Sequence, residues 1–298
     1  MNNVIYFNTE GDASLWEQQC LPIGNAYMGA SMFGGVRKER IVLNEKSLWA
    51  GGPCKNRPDY YKYVKEVQEQ LSAGNYARVL ELLPELTGDG DFGSYLLLCD
   101  ADVEISLPDG EPKNYRRALD LDRSLYSCTF ELDGVKYTRE AFASYPARVI
   151  AFRFAADKKG ALNFTLSLSK THPAKIYADG DTLVYSGAVE DNGMRFDARF
   201  TTVTDGKLSV SENGIAVSDA GEAVIYFAAA TDYAMKYPTY RSGINPAEIT
   251  VPLVKAAAEK GWDALYEEHY ADYSAIYGRV SLEINNECAD LPADKLIE

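Results

Sequence analysis

Most of the chain alternates apolar and polar residues at every second position, the period of a β-strand with one buried face. The segments SLYSCTFEL (124–132) and VKYTREAFAS (135–144) show this alternation, and Asp133-Gly134 between them predicts a hairpin turn. Further strands are predicted at residues 103–107, 114–117, 148–154, 162–169, 182–186, 194–203, 208–211, 215–217 and 223–230. Because no helical pattern separates these strands, we predict a mainly β fold, built as a large antiparallel β-sandwich.

A small helical insertion is predicted at about residues 59–86. Apolar residues recur three or four positions apart in residues 60–71 and again in residues 76–83, and Pro84 is expected to stop the second helix. Strands are predicted on both sides of this pair. The two helices are therefore an insertion in the sandwich and not a separate domain.

The C-terminal part of the chain returns to the helical period. Helices are predicted at residues 247–259 and 262–277, followed by a short strand at residues 279–284. We therefore predict an N-terminal β-sandwich domain at residues 1–245 and a C-terminal helical linker at residues 246–298.

The most glycine-dense stretch covers residues 16–53 and contains two of the three tryptophans. Small residues at 29–36 predict a strand, and Gly34-Gly35 within it indicates a bulge or hairpin. Residues 37–40 are predicted as a charged connection and residues 41–43 as a short apolar strand.

Asn44, Glu45 and Trp49 follow that short strand and are the candidate site residues. An amide, a carboxylate and an indole at a strand-to-loop junction would give a polar site with an aromatic wall, as a sugar requires. The alternative is structural: Trp49 packs, Asn44 caps a turn and Glu45 pairs with Lys46 or Arg40. Isolated polar residues near turns are common, so the local sequence alone favours the structural alternative.

Composition narrows the class of ligand. The chain has 298 residues, of which 46% are hydrophobic and 25% charged, as in ordinary globular proteins. Its net charge of −14 argues against nucleic acid or an anionic membrane as a partner and is compatible with a neutral ligand. No run approaches the roughly 20 apolar residues of a membrane-spanning helix.

The five cysteines are scattered and the chain has only two histidines, so no zinc-site spacing is present. We expect reduced thiols and neither a metal nor a cofactor. The first residues lack the basic and apolar regions of a signal peptide, which predicts a cytoplasmic location.

Several catalytic and binding motifs can be set aside. GDGDFG at residues 88–93 matches a dinucleotide fingerprint, but a helix precedes it and a strand-like run follows, the reverse of that motif. Asp89 and Asp91 also loosely resemble a calcium loop that lacks its other ligands. No G-x-S-x-G is present, and neither His172 nor His269 has a nucleophile nearby in sequence, so a serine hydrolase is not expected.

A series of sequence blocks carries a family resemblance. The blocks are LPIGNAYMGASMFGGV (21–36), IVLNEKSLWAGGP (41–53), NYRRALDLD (114–122), YTREAFASYP (137–146), GMRFDA (193–198), AAATDY (228–233), HYADYSAIYGRVSLEI (269–284) and LPADKL (291–296). In this order they resemble the N-terminal part of glycoside hydrolase family 95, the α-L-fucosidases. The chain departs from the family pattern at Ala26, which replaces the second glycine of Gly-Asn-Gly, and at Ala101-Asp102, which replaces Gly-Asp.

The resemblance implies a sandwich followed by a helical linker and an (α/α)6 barrel that carries the catalytic residues of an inverting hydrolase. This chain ends before such a barrel, so no catalytic residue is expected in it. The resemblance implies that Asn44, Glu45 and Trp49 lie on the sandwich side of the domain interface and help to wall the sugar pocket. The implied partners are a fucosylated oligosaccharide and the barrel of the same polypeptide. A stand-alone carbohydrate-binding module and a purely structural domain remain the alternatives.

Overall fold

The computed structural model describes residues 3–52, 59–86, 93–282 and 291–297. These residues form sixteen strands and six α-helices. The strands are β1 (Val4–Phe7), β2 (Leu21–Gly24), β3 (Met28–Met32), β4 (Lys38–Glu45), β5 (Cys99–Ile105), β6 (Lys113–Asp120), β7 (Leu125–Leu132), β8 (Val135–Ser144), β9 (Val149–Ala156), β10 (Leu162–Leu168), β11 (Ala174–Asp179), β12 (Thr182–Ala188), β13 (Arg195–Thr204), β14 (Lys207–Ser211), β15 (Gly214–Ala220) and β16 (Glu222–Thr231). The helices are α1 (Trp16–Gln19), α2 (Tyr61–Ser72), α3 (Tyr76–Leu86), α4 (Ala247–Lys260), α5 (Trp262–Tyr277) and α6 (Ala293–Ile297).

Two antiparallel sheets make up the sandwich. The nine-stranded sheet has the order β1-β6-β7-β8-β9-β16-β13-β12-β11, and the seven-stranded sheet has the order β14-β15-β10-β5-β4-β3-β2. Alternate residues of each strand point inward, so both sheets supply one apolar core. Phe154 of β9 and Phe164 of β10 meet across it, with ring centres 5.1 Å apart. The predicted mainly β sandwich is confirmed.

The strand β4 is longer than its sequence indicated. Residues 37–40 were expected to form a connection, but β4 begins at Lys38, so that prediction was wrong. The inward position at the start of the strand is a charged residue, Glu39, which hides the alternation. Its carboxylate is buried and accepts hydrogen bonds from Arg139 at 3.2 Å and from the backbone N–H of Phe33 at 2.9 Å. The polar partners make a charge acceptable inside the sandwich.

Of the bulge or hairpin indicated at Gly34-Gly35, the structure has the hairpin: β3 ends at Met32, earlier than the predicted strand at 29–36, and pairs with β4 across the turn. Gly34 has φ +73°, and a Cβ there would lie 2.4 Å from the hydroxyl oxygen of Tyr115. This turn therefore requires glycine.

The helices follow the predicted pattern with two differences. Pro84 lies inside α3, which continues to Leu86, so the predicted stop was wrong. The proline falls in the last turn, where only one backbone hydrogen bond is lost before the helix ends. Residues 279–282 do not form the predicted strand, and residues 283–284 lie outside the described residues.

Helices α4 and α5 cover the outer face of the nine-stranded sheet, where a second apolar cluster joins them to it. Phe142 of β8 is at its centre, with ring contacts to Trp262 at 4.8 Å and to His269 at 4.9 Å. Burial lowers the pKa of His269, and its Nε2 lies 3.3 Å from the carbonyl oxygen of Ser124. His269 therefore packs α5 onto the sheet. The division at residue 245 and the linker role of residues 246–298 stay predictions.

None of the described helices combines the length and the apolar character that a membrane crossing needs.

We predict that Phe142→Ala lowers the free energy of unfolding by about 3–5 kcal/mol, because it empties the centre of the cluster under α5. Urea unfolding measures the change. Tyr61→Ala is the control: Tyr61 is 71% exposed on α2, and its loss should cost no more than about 0.5 kcal/mol. Equal effects of the two substitutions would contradict the packing of α5 on the outer face of the nine-stranded sheet.

Candidate functional site

One end of the sandwich carries the candidate site residues, and we call it the loop end. Strands β4, β8 and β16 finish there, and β5, β9 and β13 begin there, as the strand pairing shows. The loop end consists of residues 25–27, 45–52, 93–98, 145–148, 189–194 and 232–244.

Glu45 is buried in the loop end at 5% exposure, although it is a carboxylate. Its Oε2 accepts hydrogen bonds from the backbone N–H of Ser47 at 2.8 Å and from the Ser47 hydroxyl at 2.7 Å. The oxygen of that hydroxyl lies 2.6 Å from the hydroxyl oxygen of Thr231 in the other sheet. Since the Ser47 proton points to Glu45, Thr231 donates to Ser47. Burial raises the pKa of Glu45, and the Ser47 hydrogen bonds oppose that rise.

Asn44 points to the other side of β4, because neighbouring side chains of a strand alternate. It is half-buried, and its Nδ2 donates to the carbonyl oxygen of Leu96 at 3.4 Å. The structure therefore does not bring the side chains of Asn44 and Glu45 together.

Trp49 presents an indole ring to solvent and is 45% exposed. Its Nε1 donates to the carbonyl oxygen of Lys46 at 3.0 Å, and its ring centre lies 5.5 Å from that of Tyr95. Asn192 donates to the carbonyl oxygens of Trp49 and Gly51, both at 2.8 Å. Tyr95 is itself 48% exposed. The two rings form an exposed pair that is fixed by hydrogen bonds at its backbone.

Asn25 organises the loop end, a role that the sequence analysis did not predict. It is buried, and its Oδ1 accepts from the backbone N–H groups of Tyr27 at 3.1 Å and Met28 at 2.9 Å. Its Nδ2 donates to the carbonyl oxygens of Ser144 at 2.9 Å and Val149 at 3.3 Å. One side chain thus ties the β2–β3 turn of one sheet to the β8–β9 turn of the other.

A second cluster was missed because its members are far apart in sequence. The Tyr27 ring centre lies 4.2 Å from Nζ of Lys46 and 4.4 Å from Cζ of Arg148. Tyr145 stacks against Tyr27 with ring centres 5.6 Å apart and an angle of 25° between the rings. We call Tyr27, Lys46, Tyr145 and Arg148 the cationic cluster.

Asp232 holds the segment that follows β16. It is buried and accepts from Nε of Arg195 at 2.9 Å, and Nε of Arg241 lies 3.5 Å from its other oxygen. Arg241 also donates to the carbonyl oxygen of Asn192 at 3.0 Å. The paired charges of this network hold residues 232–242 against the β12–β13 connection.

The remaining sequence candidates do not add to the site. Nε2 of His172 forms a hydrogen bond with the carbonyl oxygen of Leu97 at 2.7 Å, a structural contact at the edge of the loop end. Asp89 and Asp91 of the loosely calcium-like loop lie outside the described residues. Over the described ranges, no three His, Cys, Asp or Glu side chains come together as a metal site would need.

Ala26 adopts a conformation that favours glycine, with φ +65°. We predict that Ala26→Gly, which restores the family's Gly-Asn-Gly, raises the free energy of unfolding by about 0.5–1 kcal/mol. Chemical denaturation measures it. The matched control is Ala30→Gly in β3, which is buried and should be destabilised. Destabilisation by both substitutions to a similar extent would show that no strain is present at Ala26.

Because the pKa of Glu45 is raised in the folded state, the folded protein binds this proton more tightly than the unfolded chain does. Stability from this group is therefore greatest below the unfolded pKa of about 4.3 and falls as pH rises through the raised folded value. We predict that Glu45→Gln gains stability relative to wild type as pH rises from 4 to 8, measured by urea unfolding. Glu104→Gln, on an exposed side chain, controls for the loss of charge. A stability difference between Glu45→Gln and wild type that stays the same from pH 4 to pH 8 would contradict the prediction.

Comparison with known proteins places the chain in a family. The family model described as "Glycosyl hydrolase family 65, N-terminal domain" matches residues 8–236. The "Probable alpha-fucosidase A" of Aspergillus niger is 29% identical over a match that covers 98% of this chain and 39% of that protein. The "Alpha-L-fucosidase 2" of Arabidopsis thaliana is 25% identical, with 89% of this chain and 35% of that protein covered. The chain thus spans about two fifths or less of the length of these relatives.

A solved structure shares the architecture. It is named "Putative kojibiose phosphorylase from human microbiome" and matches with a TM-score of 0.57 and 10% identity, over 92% of this chain and 38% of that chain. At this identity the likeness shows the fold alone. The relatives confirm the resemblance to the N-terminal domain of a fucosidase-type enzyme. Because the family model covers residues 8–236, this chain belongs to the glycosyl hydrolase family 65 N-terminal domain family.

Proposed function

We propose that this chain is the sandwich domain of an α-L-fucosidase-like glycoside hydrolase of family 95 type. Two named α-fucosidases that match nearly all of the chain support this assignment. The chain covers only 39% and 35% of their lengths, so we assign catalysis to a part of the polypeptide outside it. In this proposal residues 246–298 lead to an (α/α)6 barrel that hydrolyses terminal α-L-fucosides with inversion. The cytoplasmic location stays a prediction.

The loop end is the surface that we assign to the sugar pocket or the barrel interface. The observation that carries this is the exposed ring pair of Trp49 and Tyr95, held rigidly by Asn192 and by the backbone. Proteins bind sugars by stacking apolar C–H faces on fixed aromatic rings, with a few polar groups to set the orientation. In this proposal Asn44 and Glu45 stabilise the loop that carries Trp49. Asn44 does so through its hydrogen bond to Leu96, and Glu45 through its hydrogen bond from Ser47.

A second candidate function is sugar binding by the sandwich on its own. It is favoured by the number of exposed aromatic side chains at the loop end, where Tyr145 is 53% exposed and Tyr237 is 86% exposed. Such rings are enriched where proteins bind ligands with one apolar side.

The test of the first function compares the 298-residue chain with the polypeptide of its complete reading frame on an aryl α-L-fucoside. We predict that the complete polypeptide is active and that the 298-residue chain is not. Trp49→Ala in the complete polypeptide should lower kcat/KM about tenfold, which is about 1.4 kcal/mol, and Trp49→Phe should retain more activity. Trp16→Ala, at a tryptophan that is 54% exposed in α1, is the matched control.

Enzyme-like turnover by the 298-residue chain alone would contradict this proposal, as would a reading frame that stops directly after Glu298. For the second candidate, calorimetry of the 298-residue chain with L-fucose and a fucosylated oligosaccharide should show millimolar or tighter binding that Trp49→Ala removes. Absence of heat with both sugars would exclude it.

A further inference from the structure

The cationic cluster brings two positive charges to one aromatic ring. The backbone N–H of Lys46 donates to the carbonyl oxygen of Tyr27 at 2.9 Å, which continues the pairing of Met28 with Glu45 by one residue. Cross-strand neighbours project from the same side of a sheet, so the lysine side chain lies along the Tyr27 ring. Strand register therefore fixes the position of Lys46, the first cation, beside the Tyr27 ring.

The second cation comes from the opposite sheet. Arg148 lies in the β8–β9 turn, which Asn25 anchors through the carbonyl oxygens of Ser144 and Val149. Its backbone is left-handed, with φ +55°, an uncommon conformation for a residue with a Cβ. Residues are held in such conformations where the surrounding structure determines them, and often at functional sites. Arg148 is thus positioned over Tyr27 by contacts outside its own side chain.

Neither cation forms a salt bridge with a carboxylate within the part of the chain that the structure describes. The Nε–H of Arg148 is buried and finds no acceptor among the described residues. The acidic group that acts electrostatically on Lys46 is Glu45, but its Oε2 is occupied by Ser47. The cluster therefore holds hydrogen-bond donors and positive charge that the described residues leave unused.

Other cations of the loop end are arranged differently. Arg195 and Arg241 both pair with the buried carboxylate of Asp232. In a chain with a net charge of −14, acidic groups are plentiful, yet none of the described ones forms a salt bridge with Lys46 or Arg148. Two like charges beside one ring repel each other, and the cation–π contacts offset this repulsion only in part. An anionic ligand would remove the repulsion.

An exposed ring lies beside the charges. Tyr145 is 53% exposed and stacks on Tyr27, so one surface offers both an aromatic face and cationic donors. A sugar with an anionic substituent matches both parts: its C–H face packs on the ring, and its carboxylate or sulfate oxygens accept from Lys46 and Arg148. An acidic side chain of a partner protein would use only the cations.

We propose that Tyr27, Lys46, Tyr145 and Arg148 form a binding site for an acidic saccharide, which carries either a uronic acid carboxylate or a sulfate ester. The proposal rests on the proposed carbohydrate function and extends it from neutral fucosides to charged glycans. The shared chemistry is a sugar ring with a single anionic group.

Calorimetric titration of the 298-residue chain tests this with D-glucuronate and D-glucose 6-sulfate, and with D-glucose and inorganic sulfate as controls. We expect at least one acidic sugar to bind at least tenfold more tightly than glucose and inorganic sulfate, with affinity that weakens as salt is added. The tighter of the two acidic sugars identifies the anionic group. Equal binding of glucose, or equal binding of inorganic sulfate, would overturn the proposal.

Variants locate the site. Lys46→Gln and Arg148→Gln should each weaken binding about tenfold, the double variant should abolish it, and Arg148→Lys should retain part of it. Two matched controls should bind like wild type: Lys38→Gln at the other end of β4, and Arg116→Gln, whose Cζ lies 4.2 Å from the Tyr6 ring centre. Urea unfolding confirms that each variant is folded. Undiminished binding by the folded double variant would overturn the assignment.

The two proposals fail separately. Loss of acidic-sugar binding with intact fucosidase activity of the complete polypeptide would contradict only the site. Retained binding with no fucosidase activity would contradict only the proposed enzyme.

Discussion

The structure depends on the burial of apolar side chains between two antiparallel sheets. Strand alternation sends every second residue into this space, and rings such as Phe154 and Phe164 meet there from opposite sheets. This packing fixes strand register, because a shift by one residue would turn each inner face outward. Fixed register in turn determines which turns meet at each end of the sandwich.

The loop end shows the consequence for polar residues. Where strands of the two sheets finish side by side, side-chain hydrogen bonds replace apolar packing as the link between sheets. Asn25 joins the β2–β3 turn to the β8–β9 turn, and Ser47 joins Glu45 to Thr231. Buried polar groups that are fully bonded hold one arrangement, since breaking any bond leaves an unsatisfied group. The exposed rings and cations are thereby held on a rigid base.

The sequence predicted the regular part of the fold, because the periods of strands and helices are local. The prediction failed at two strands. The buried charge of Glu39 hides the apolar alternation at the start of β4. Strand β11 was not predicted, because it is an edge strand whose residues are mostly exposed. For the candidate site, Glu45 and Trp49 were predicted from their junction position, and their role stays a prediction. Asn25 and Arg148 were not, since their roles arise from contacts between positions more than a hundred residues apart.

The central claim is that the loop end faces the rest of the polypeptide and its sugar pocket. Hydrogen–deuterium exchange tests it by comparing the 298-residue chain with the polypeptide of the complete reading frame. The account predicts slower exchange in the complete polypeptide at residues 45–52 and 145–148, with the exposed hairpin of α2 and α3 unchanged. Unchanged exchange at the loop end, together with protection of residues 61–86, would contradict it.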